Sequence, residues 1–257
     1  MPWFDRFDRL AAERLPDLEI CREEPMDRHT TFRVGGPARR FVRPASAEAC
    51  AALLALAESE GWPVLVMGNG SNLLVADGGA DLLVIHTGHL DGAERVGERT
   101  IRAGAGLSLA RVASFAQREG LRGLEFAHGI PGSLGGAVCM NAGAYGGEMK
   151  QVLSAVTAWM PGEGVRRLER ETLALGYRRS VFSGGRGAVL AAENHNKYGG
   201  LWSAVSEVLA QKCPVPAGYV AVEDEFGEVG SQGYLQERFG LTAAHIVEQA
   251  KAVLARK

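Results

Sequence analysis

The sequence predicts an α+β fold for most of its 257 residues. Short apolar runs separated by Gly, Asn and Asp are typical of strands. Longer segments between them have the apolar spacing and the end signals of helices. The pattern changes after Glu193, where two helical segments flank one short apolar run. We therefore predict a mixed domain over residues 1–192 and a small α/β segment over residues 193–257.

The helices of the first part are predicted from apolar spacing and from residues that start or stop a helix. They cover Phe4–Leu15, residues 47–60 and Ser108–Glu119. Ser46 is a suitable N-cap for the second helix, and Gly61 would end it.

The predicted strands are short apolar runs bounded by turn residues. In the first part they are Val64–Met67, Leu73–Val75, Leu82–Ile85, Ile101–Ala103, Val152–Met160 and Ala188–Ala192. In the tail, helices at Trp202–Gln211 and Thr242–Leu254 flank a strand at Tyr219–Val222, and Thr242 is the expected N-cap.

Charge and cysteine content exclude several classes of function. A net charge of −2 gives no general attraction to nucleic acid or anionic lipid, so we expect no nucleic-acid partner. The cysteines are scattered without metal-ligand or disulfide spacing, so no metal site is expected; they are Cys21, Cys50, Cys139 and Cys213. No secretory signal or membrane span is visible, which predicts a cytoplasmic protein without membrane insertion.

Glycine is the unusual residue of this chain. It occurs 34 times, close to twice the average usage of about 7 %. Residues 61–147 hold 19 of these glycines, without a collagen period and among many apolar residues. Such a block indicates backbone loops shaped for a ligand.

The first glycine loop lies between two apolar runs and consists of Gly68, Asn69, Gly70, Ser71 and Asn72. Without Cβ atoms in the way, its backbone N–H groups can turn inward and form a concave site for a phosphate or diphosphate. An ordinary tight turn is the alternative interpretation of these five residues.

The second glycine segment covers residues 129–138 and continues through 141–148. A helix beginning near Ser133 would direct its N-terminus at negative charge. Two such loops favour a dinucleotide ligand. Neither has the spacing of a Rossmann or P-loop motif, so those folds are disfavoured.

Four ordered motifs resemble the UDP-N-acetylenolpyruvoylglucosamine reductases, flavoenzymes of the vanillyl-alcohol-oxidase-like superfamily. They are HTTFRVGGPA at 29–38, VMGNGSNLLVADGG at 66–79, GLEFAHGIPGSLGGAVCMNAGAYGGE at 123–148 and YRRSVF at 177–182. The resemblance implies a two-lobed FAD-binding domain of the vanillyl-alcohol-oxidase-like (PCMH) type, with its core over residues 28–192.

The resemblance also implies that both glycine loops contact FAD. Its diphosphate would bind mainly to residues 68–72 and to the backbone of residues 130–137. The implied cofactor-binding residues are Gly68, Asn69, Gly70, Ser71, Asn72, Ile130, Pro131, Gly132, Ser133, Gly135, Gly136, Ala137, Asn141 and Ala142.

The activity implied is reduction of UDP-N-acetylglucosamine enolpyruvate, a nucleotide sugar, to UDP-N-acetylmuramate in peptidoglycan synthesis, with NADPH as hydride donor. Arg178 matches the arginine that stabilises the enolate-like transition state, and Tyr177 would position the substrate. From the residues alone, Tyr177–Arg179 is also compatible with a solvated basic turn. The family's C-terminal substrate-binding domain, with its proton-donating serine and late glutamate, is not recognisable, and its loss would impair the activity. Ser231 and Glu248 are assigned no role.

Residues 193–257 resemble the C-terminal end of transketolase, a region that does not bind thiamine diphosphate by itself. A natural fusion and a rearranged reading frame both remain open for the junction near 192/193. The alternative functions are a flavin-binding module without turnover and, less favoured, a sugar or alcohol oxidase.

Overall fold

The computed structural model describes residues 1–183, 189–198, 201–212, 217–225 and 228–256. The chain forms two compact units, Met1–Ser183 and Gly184–Lys257. The predicted boundary at 192/193 falls inside a strand of the second unit. Ala188, at the start of one predicted strand, and Cys213 lie outside the described residues.

The first unit contains helices and strands in mixed order. Its helices are α1 (Trp3–Arg14), α2 (Ala47–Glu60), α3 (Leu109–Arg118), α4 (Leu134–Cys139) and α5 (Met149–Val152). Its strands are β1 (Glu19–Pro25), β2 (Pro37–Arg43), β3 (Val64–Met67), β4 (Ala80–His86), β5 (Ala93–Gly97), β6 (Thr100–Ala103), β7 (Gly143–Ala144), β8 (Gly147–Glu148), β9 (Ala155–Met160) and β10 (Gly164–Glu169).

A four-stranded sheet organises the amino-terminal half of this unit, in the order β1-β2-β4-β3. β1 is antiparallel to β2, whereas β2, β4 and β3 are parallel. Met67 pairs with His86, so the carboxyl ends of β3 and β4 meet at one edge. In open sheets with parallel strands, ligands bind beside such an edge.

Two separate cores cover the two faces of the sheet. On one face, α1 and α2 bury Phe7 and Leu53 against Leu83 and Ile85 of β4. On the other face, Met26, Phe41, Met67, Val75 and Val84 form a second cluster.

A third core lies in the carboxyl-terminal half of the unit. It packs Leu109 of α3 against Val138 of α4, Phe126 and Met149. The strands β9 and β10 form an antiparallel hairpin beside it. These cores confirm the predicted α+β class.

Several predicted elements of the first unit are confirmed. The helices at 3–14, 47–60 and 109–118 and the strands at 64–67, 80–86 and 100–103 are present within one or two residues of their predicted limits. Ser46, Ser108 and Ser133 each accept a backbone N–H as N-cap, of Ala49, Arg111 and Gly136 respectively. Gly61 ends α2 in the left-handed conformation.

Two strand predictions need correction. Leu73–Val75 is not a strand, because this segment leaves the sheet: Leu74 is 71 % exposed, and Val75 packs into the core around Phe41. The strand predicted at Val152–Met160 begins only at Ala155, since Met149–Val152 forms α5.

The second unit contains β11 (Val189–Asn196), α6 (Leu201–Lys212), β12 (Ala217–Val222), α7 (Gln232–Arg238) and α8 (Ala243–Leu254). β11 and β12 pair in parallel. Thr242 caps α8 as predicted, and its hydroxyl accepts the N–H of His245. α7 is capped by Ser231, whose hydroxyl accepts the N–H of Tyr234.

Within the described part of the chain, no helix has the length and apolar character needed to cross a membrane. No group of three or more His, Cys, Asp or Glu side chains suited to a metal ion occurs among the same residues.

A buried ion pair joins α1 to the sheet. Arg40 of β2 is 5 % exposed, and its Nε and Nη2 donate to the two carboxylate oxygens of Asp8 at 2.7 and 2.9 Å. Burial alone would raise the pKa of Asp8, but the hydrogen bonds and charges of Arg40 and Arg22 outweigh it and hold that pKa below its usual 3.8. The pair therefore fixes the helix to the sheet in its charged form.

We predict that Asp8→Ala lowers the free energy of unfolding by about 2–4 kcal/mol, because the Arg40 guanidinium would stay buried without a carboxylate and keep only its bond to the Arg39 carbonyl. Alanine is a good helix former, so lost helix propensity cannot explain the effect. Urea unfolding at pH 7 measures it. The control is Glu94→Ala, which removes the exposed Glu94–Arg102 pair and should change stability by about 0.5 kcal/mol or less.

The pH dependence of this contribution has a definite sign. Because the pKa of Asp8 is lower in the folded chain, its contribution is complete above the unfolded pKa near 3.8 and is lost as the pH falls below it. The difference between wild type and Asp8→Ala should therefore shrink below pH 4. A difference that stayed constant to pH 2.5 would contradict a charge-based role.

Candidate active site at the meeting of two glycine loops

The first glycine loop, residues 68–72, begins directly after β3 at the sheet edge. Gly70 is in the left-handed conformation (φ +60°), and a Cβ there would overlap the carbonyl oxygen of His29. The Thr31 N–H donates to the Gly70 carbonyl at 3.2 Å. Glycine is therefore required at position 70 both for the backbone conformation and for the close approach of the segment around Thr30.

The backbone N–H groups of this loop, residues 68–72, have no acceptor in the part of the chain that the structure describes. Successive unpaired N–H groups around a left-handed residue form an anion-binding concavity.

The second glycine segment meets this loop at Ser133. A Cβ on Gly68 would overlap the Ser133 hydroxyl and lie 2.7 Å from the Ser133 Cβ. The Ser71 hydroxyl donates to the Pro131 carbonyl at 3.3 Å, and Gly132 (φ +133°) also lies against Ser71. The structure thus brings residues 68–72 and 131–133 together, although 60 residues separate Ser71 from Pro131.

Most backbone donors of the second segment are already engaged. The N–H groups of Leu134 and Gly135 donate to the carbonyls of Leu107 and Ala105, both at 2.8 Å. Those of Ile130, Gly136 and Ala137 also have protein acceptors, which are Ala127, the Ser133 hydroxyl and the Ser133 carbonyl. Pro131 has no N–H, which leaves Gly132 and Ser133 as the remaining donors of residues 130–137.

Asn141 is buried and fully engaged by the protein. Its amide donates to the Glu148 carboxylate (2.9 Å) and to the Gly176 carbonyl (3.1 Å), and its oxygen accepts the Lys150 N–H (2.9 Å). The neighbouring Ala142 N–H donates to the Ala137 carbonyl. In this structure Asn141 ties the turn that begins at Gly176 to the third core.

That turn carries Tyr177 and Arg178. Gly176 and Arg179 exchange both backbone hydrogen bonds across it, and Arg178 has a φ of +50°. A positive φ at the third position is the pattern of a type II turn, where glycine or asparagine is usual. An arginine held there costs about 1–3 kcal/mol, and such strain concentrates at functional sites.

The Arg178 side chain reaches the first glycine loop. Its Nη2 donates to the Asn72 Oδ1 at 3.1 Å, which places a guanidinium beside the unpaired backbone donors. Tyr177 is 70 % exposed next to it. The two predicted functional elements, the first loop and the arginine turn, are therefore joined by a direct hydrogen bond.

A cavity of about 450 Å³, wide open to solvent, adjoins the same loop and was not predicted from the sequence. It shares Asn69 with the loop, and its other lining residues include Arg28, Arg33 and His86. The sequence signal that could have indicated it is the pair of arginines, Arg28 and Arg33, on either side of the HTTF motif at 29–32.

We predict that Gly68→Ala lowers the free energy of unfolding by about 2–3 kcal/mol, because Ser133 must give up its packing position and its cap of α4. Chemical denaturation measures this change. The matched control is Gly78→Ala: a Cβ there meets nothing within 4 Å, so stability should be unchanged or slightly higher.

A double variant distinguishes this contact from a general intolerance of position 68. Adding Ser133→Gly to Gly68→Ala makes room for the new Cβ, and glycine is an acceptable N-cap. The double variant should be more stable than Gly68→Ala alone. Equal or lower stability of the double variant would contradict the contact as the cause.

Comparison with known proteins identifies relatives for part of the chain. Residues 38–169 match the family described as FAD binding domain. The UDP-N-acetylenolpyruvoylglucosamine reductase of Heliobacterium modesticaldum is 47 % identical over 159 residues, covering 62 % of this chain and 51 % of the relative. That of Lactococcus lactis subsp. cremoris is 47 % identical over 182 residues, covering 70 % and 60 %.

Solved structures are similar to about the same fraction of this chain as the sequence relatives are. UDP-N-acetylenolpyruvylglucosamine reductase from Thermus caldophilus is 37 % identical, with a TM-score of 0.50 over 63 % of this chain and 56 % of that structure. An alkyldihydroxyacetonephosphate synthase, 19 % identical over 66 % of this chain and 38 % of that structure, shares the fold with a TM-score of 0.50.

The chain thus spans between half and three fifths of the length of these curated relatives. The resemblance of residues 193–257 to transketolase stays a prediction. The family match includes both glycine loops, the sheet edge and Ser133, and the shared architecture confirms the predicted FAD-binding type of fold. The chain belongs to the FAD binding domain family.

Proposed function

We propose that the protein is an FAD-dependent reductase that converts UDP-N-acetylglucosamine enolpyruvate to UDP-N-acetylmuramate, with NADPH as hydride donor. The observation that carries the proposal is the hydrogen bond between Arg178 and Asn72, which joins a strained arginine to a loop with unpaired backbone donors. Similarity to UDP-N-acetylenolpyruvoylglucosamine reductases over 62–70 % of this chain supports it.

The first glycine loop has the donors that the FAD diphosphate needs. Its unpaired N–H groups, with those of Gly132 and Ser133, would hold the phosphate oxygens. The N–H groups of residues 134–137 already donate to protein atoms, so these residues would not bind phosphate oxygens. They would only shape the wall of the site, through the close packing of Gly135 on Ala105. Asn141 and Ala142 would support the site from behind it, since their polar groups already bond to protein atoms.

Arg178 has the charge and the position for the catalytic role implied by family resemblance. When bound, FAD supplies hydride transfer from NADPH to the enolpyruvyl double bond. The guanidinium would stabilise the negative charge that develops on the substrate carboxylate side. Asn72 and the tight turn hold the guanidinium in place, so little reorganisation is needed when that charge appears.

The reduction also requires one proton at the adjacent carbon. Ser231 accepts the Tyr234 N–H as the cap of α7, and Glu248 lies on α8 beside His245. Neither is assigned this role, and in our proposal solvent supplies the proton. Tyr177, exposed beside Arg178, would contact the nucleotide sugar.

An anaerobic assay of the purified chain tests the proposal. The protein should be yellow, release FAD on denaturation and, with NADPH and the enolpyruvyl sugar, form one UDP-N-acetylmuramate per NADPH oxidised. Flavin reduction without sugar consumption would identify a flavin-binding module without turnover. A chain that cannot be loaded with FAD would contradict flavin dependence itself.

We predict that Arg178→Gly abolishes sugar reduction but leaves FAD binding within about twofold and raises or preserves thermal stability. Glycine adopts the left-handed conformation without strain, so the variant should not unfold the turn. The control is Arg179→Ala, which removes the neighbouring arginine and should retain activity. Loss of FAD binding together with activity in Arg178→Gly would make Arg178 structural.

A further inference from the structure

The cavity beside the first glycine loop is formed by the segment that precedes β2. His29 stacks on Phe41 with a centroid distance of 4.2 Å, and Thr31 bonds to the Gly70 carbonyl. These contacts hold residues 28–33 near the carboxyl end of β4, where His86 also lines the cavity and its ring centroid lies 6.1 Å from that of His29. The cavity is thus fixed to the same loop that carries the unpaired backbone donors.

Two arginines that line this cavity are not neutralised by a carboxylate. Within the described residues, Arg28 and Arg33 have no Asp or Glu oxygen within 4 Å, whereas Arg39 and Arg40 nearby are both paired. Glu24 is engaged by His29, with 2.8 Å between its Oε1 and the imidazole Nε2. The cavity therefore has an excess of positive charge.

His86 adds a neutral donor. Its Nδ1 accepts the Gly88 N–H at 3.3 Å, so the ring proton of the neutral imidazole resides on Nε2. Burial is the main cause that lowers the pKa of His86 to about 4, and the neighbouring His29 and Arg43 act in the same direction. The ring is consequently uncharged near neutral pH and can donate one hydrogen bond.

Arg33 is held in a conformation that suits glycine better. Its φ is +53°. Two hydrogen bonds stabilise this conformation: the Arg33 N–H donates to the Thr30 carbonyl, and the Thr30 hydroxyl donates to the Val34 carbonyl. A residue of this kind is strained, and strained residues cluster at ligand-binding sites. Arg33 and Arg178 share this property, and their segments both contact the first glycine loop.

We propose that this cavity is a binding site for a phosphoryl anion, held by the guanidinium groups of Arg28 and Arg33 and by the donors of Asn69, Thr31 and His86. Arginine suits phosphate because its planar donors can bind two oxygens at once. The volume of about 450 Å³ accommodates a diphosphate. The FAD diphosphate is already assigned to residues 68–72, Gly132 and Ser133, and of these only Asn69 lines the cavity, so the anion is the phosphate of a second ligand. The site does not depend on the proposed reduction.

Titration calorimetry of the full chain with inorganic pyrophosphate tests the site at low ionic strength. Wild type should bind pyrophosphate, and the Arg28→Ala/Arg33→Gly double variant should bind it at least tenfold more weakly. The control is Arg99→Ala, which removes one charge from the turn between β5 and β6 and should change the affinity less than twofold. Arg33→Gly removes backbone strain, so its thermal midpoint should equal or exceed that of wild type.

Repeating the titration with saturating FAD identifies the source of the anion. If FAD abolishes pyrophosphate binding and the double variant loses FAD affinity in parallel, the cavity is part of the flavin site, and the proposal of a second anion site is wrong. If FAD leaves pyrophosphate binding intact, the cavity serves a second phosphorylated ligand. Equal pyrophosphate affinity of wild type and a folded double variant, or no binding to wild type, would overturn the site.

Discussion

The packing of Gly68 against Ser133 is the contact on which the candidate site depends. Ser133 is fixed from its own side, because its hydroxyl caps α4 and its neighbours bond to Leu107 and Ala105. Only a residue without a side chain allows the first glycine loop to approach it. The amino-terminal sheet and the third core thereby meet while the backbone donors of residues 68–72 stay unpaired among the described residues.

Three features converge on this loop. Asn72 holds the Arg178 guanidinium, Asn69 lines the cationic cavity, and the backbone between them presents unpaired donors. Two nearby arginines also occupy left-handed conformations that would favour glycine. A loop surrounded by cations and donors is suited to anionic ligands, which agrees with membership of the FAD binding domain family.

Local sequence patterns predicted the helices of the first unit better than the strands of its sheet. Glycine density predicted both loops, and the helix starts predicted at residue 47 after the Ser46 cap, at Ser108 and near Ser133 agree with α2, α3 and α4 within one residue. β1 and β2 were missed because their charged side chains, such as Glu19 and Arg43, pair across strands and hide the apolar alternation. The Leu73–Val75 pattern reflects one buried valine, not a strand. Contacts such as Arg178 with Asn72, 106 residues apart, depend on tertiary structure and have no local signal.

Residue-resolved amide hydrogen exchange, with and without saturating FAD, tests most directly whether residues 68–72 hold the diphosphate. The unpaired N–H groups of this loop should exchange rapidly in the free protein and become protected when FAD binds. The N–H groups of residues 134–137, which already donate to protein acceptors, should change little. FAD binding that protects residues 134–137 and leaves residues 68–72 unchanged would contradict the account.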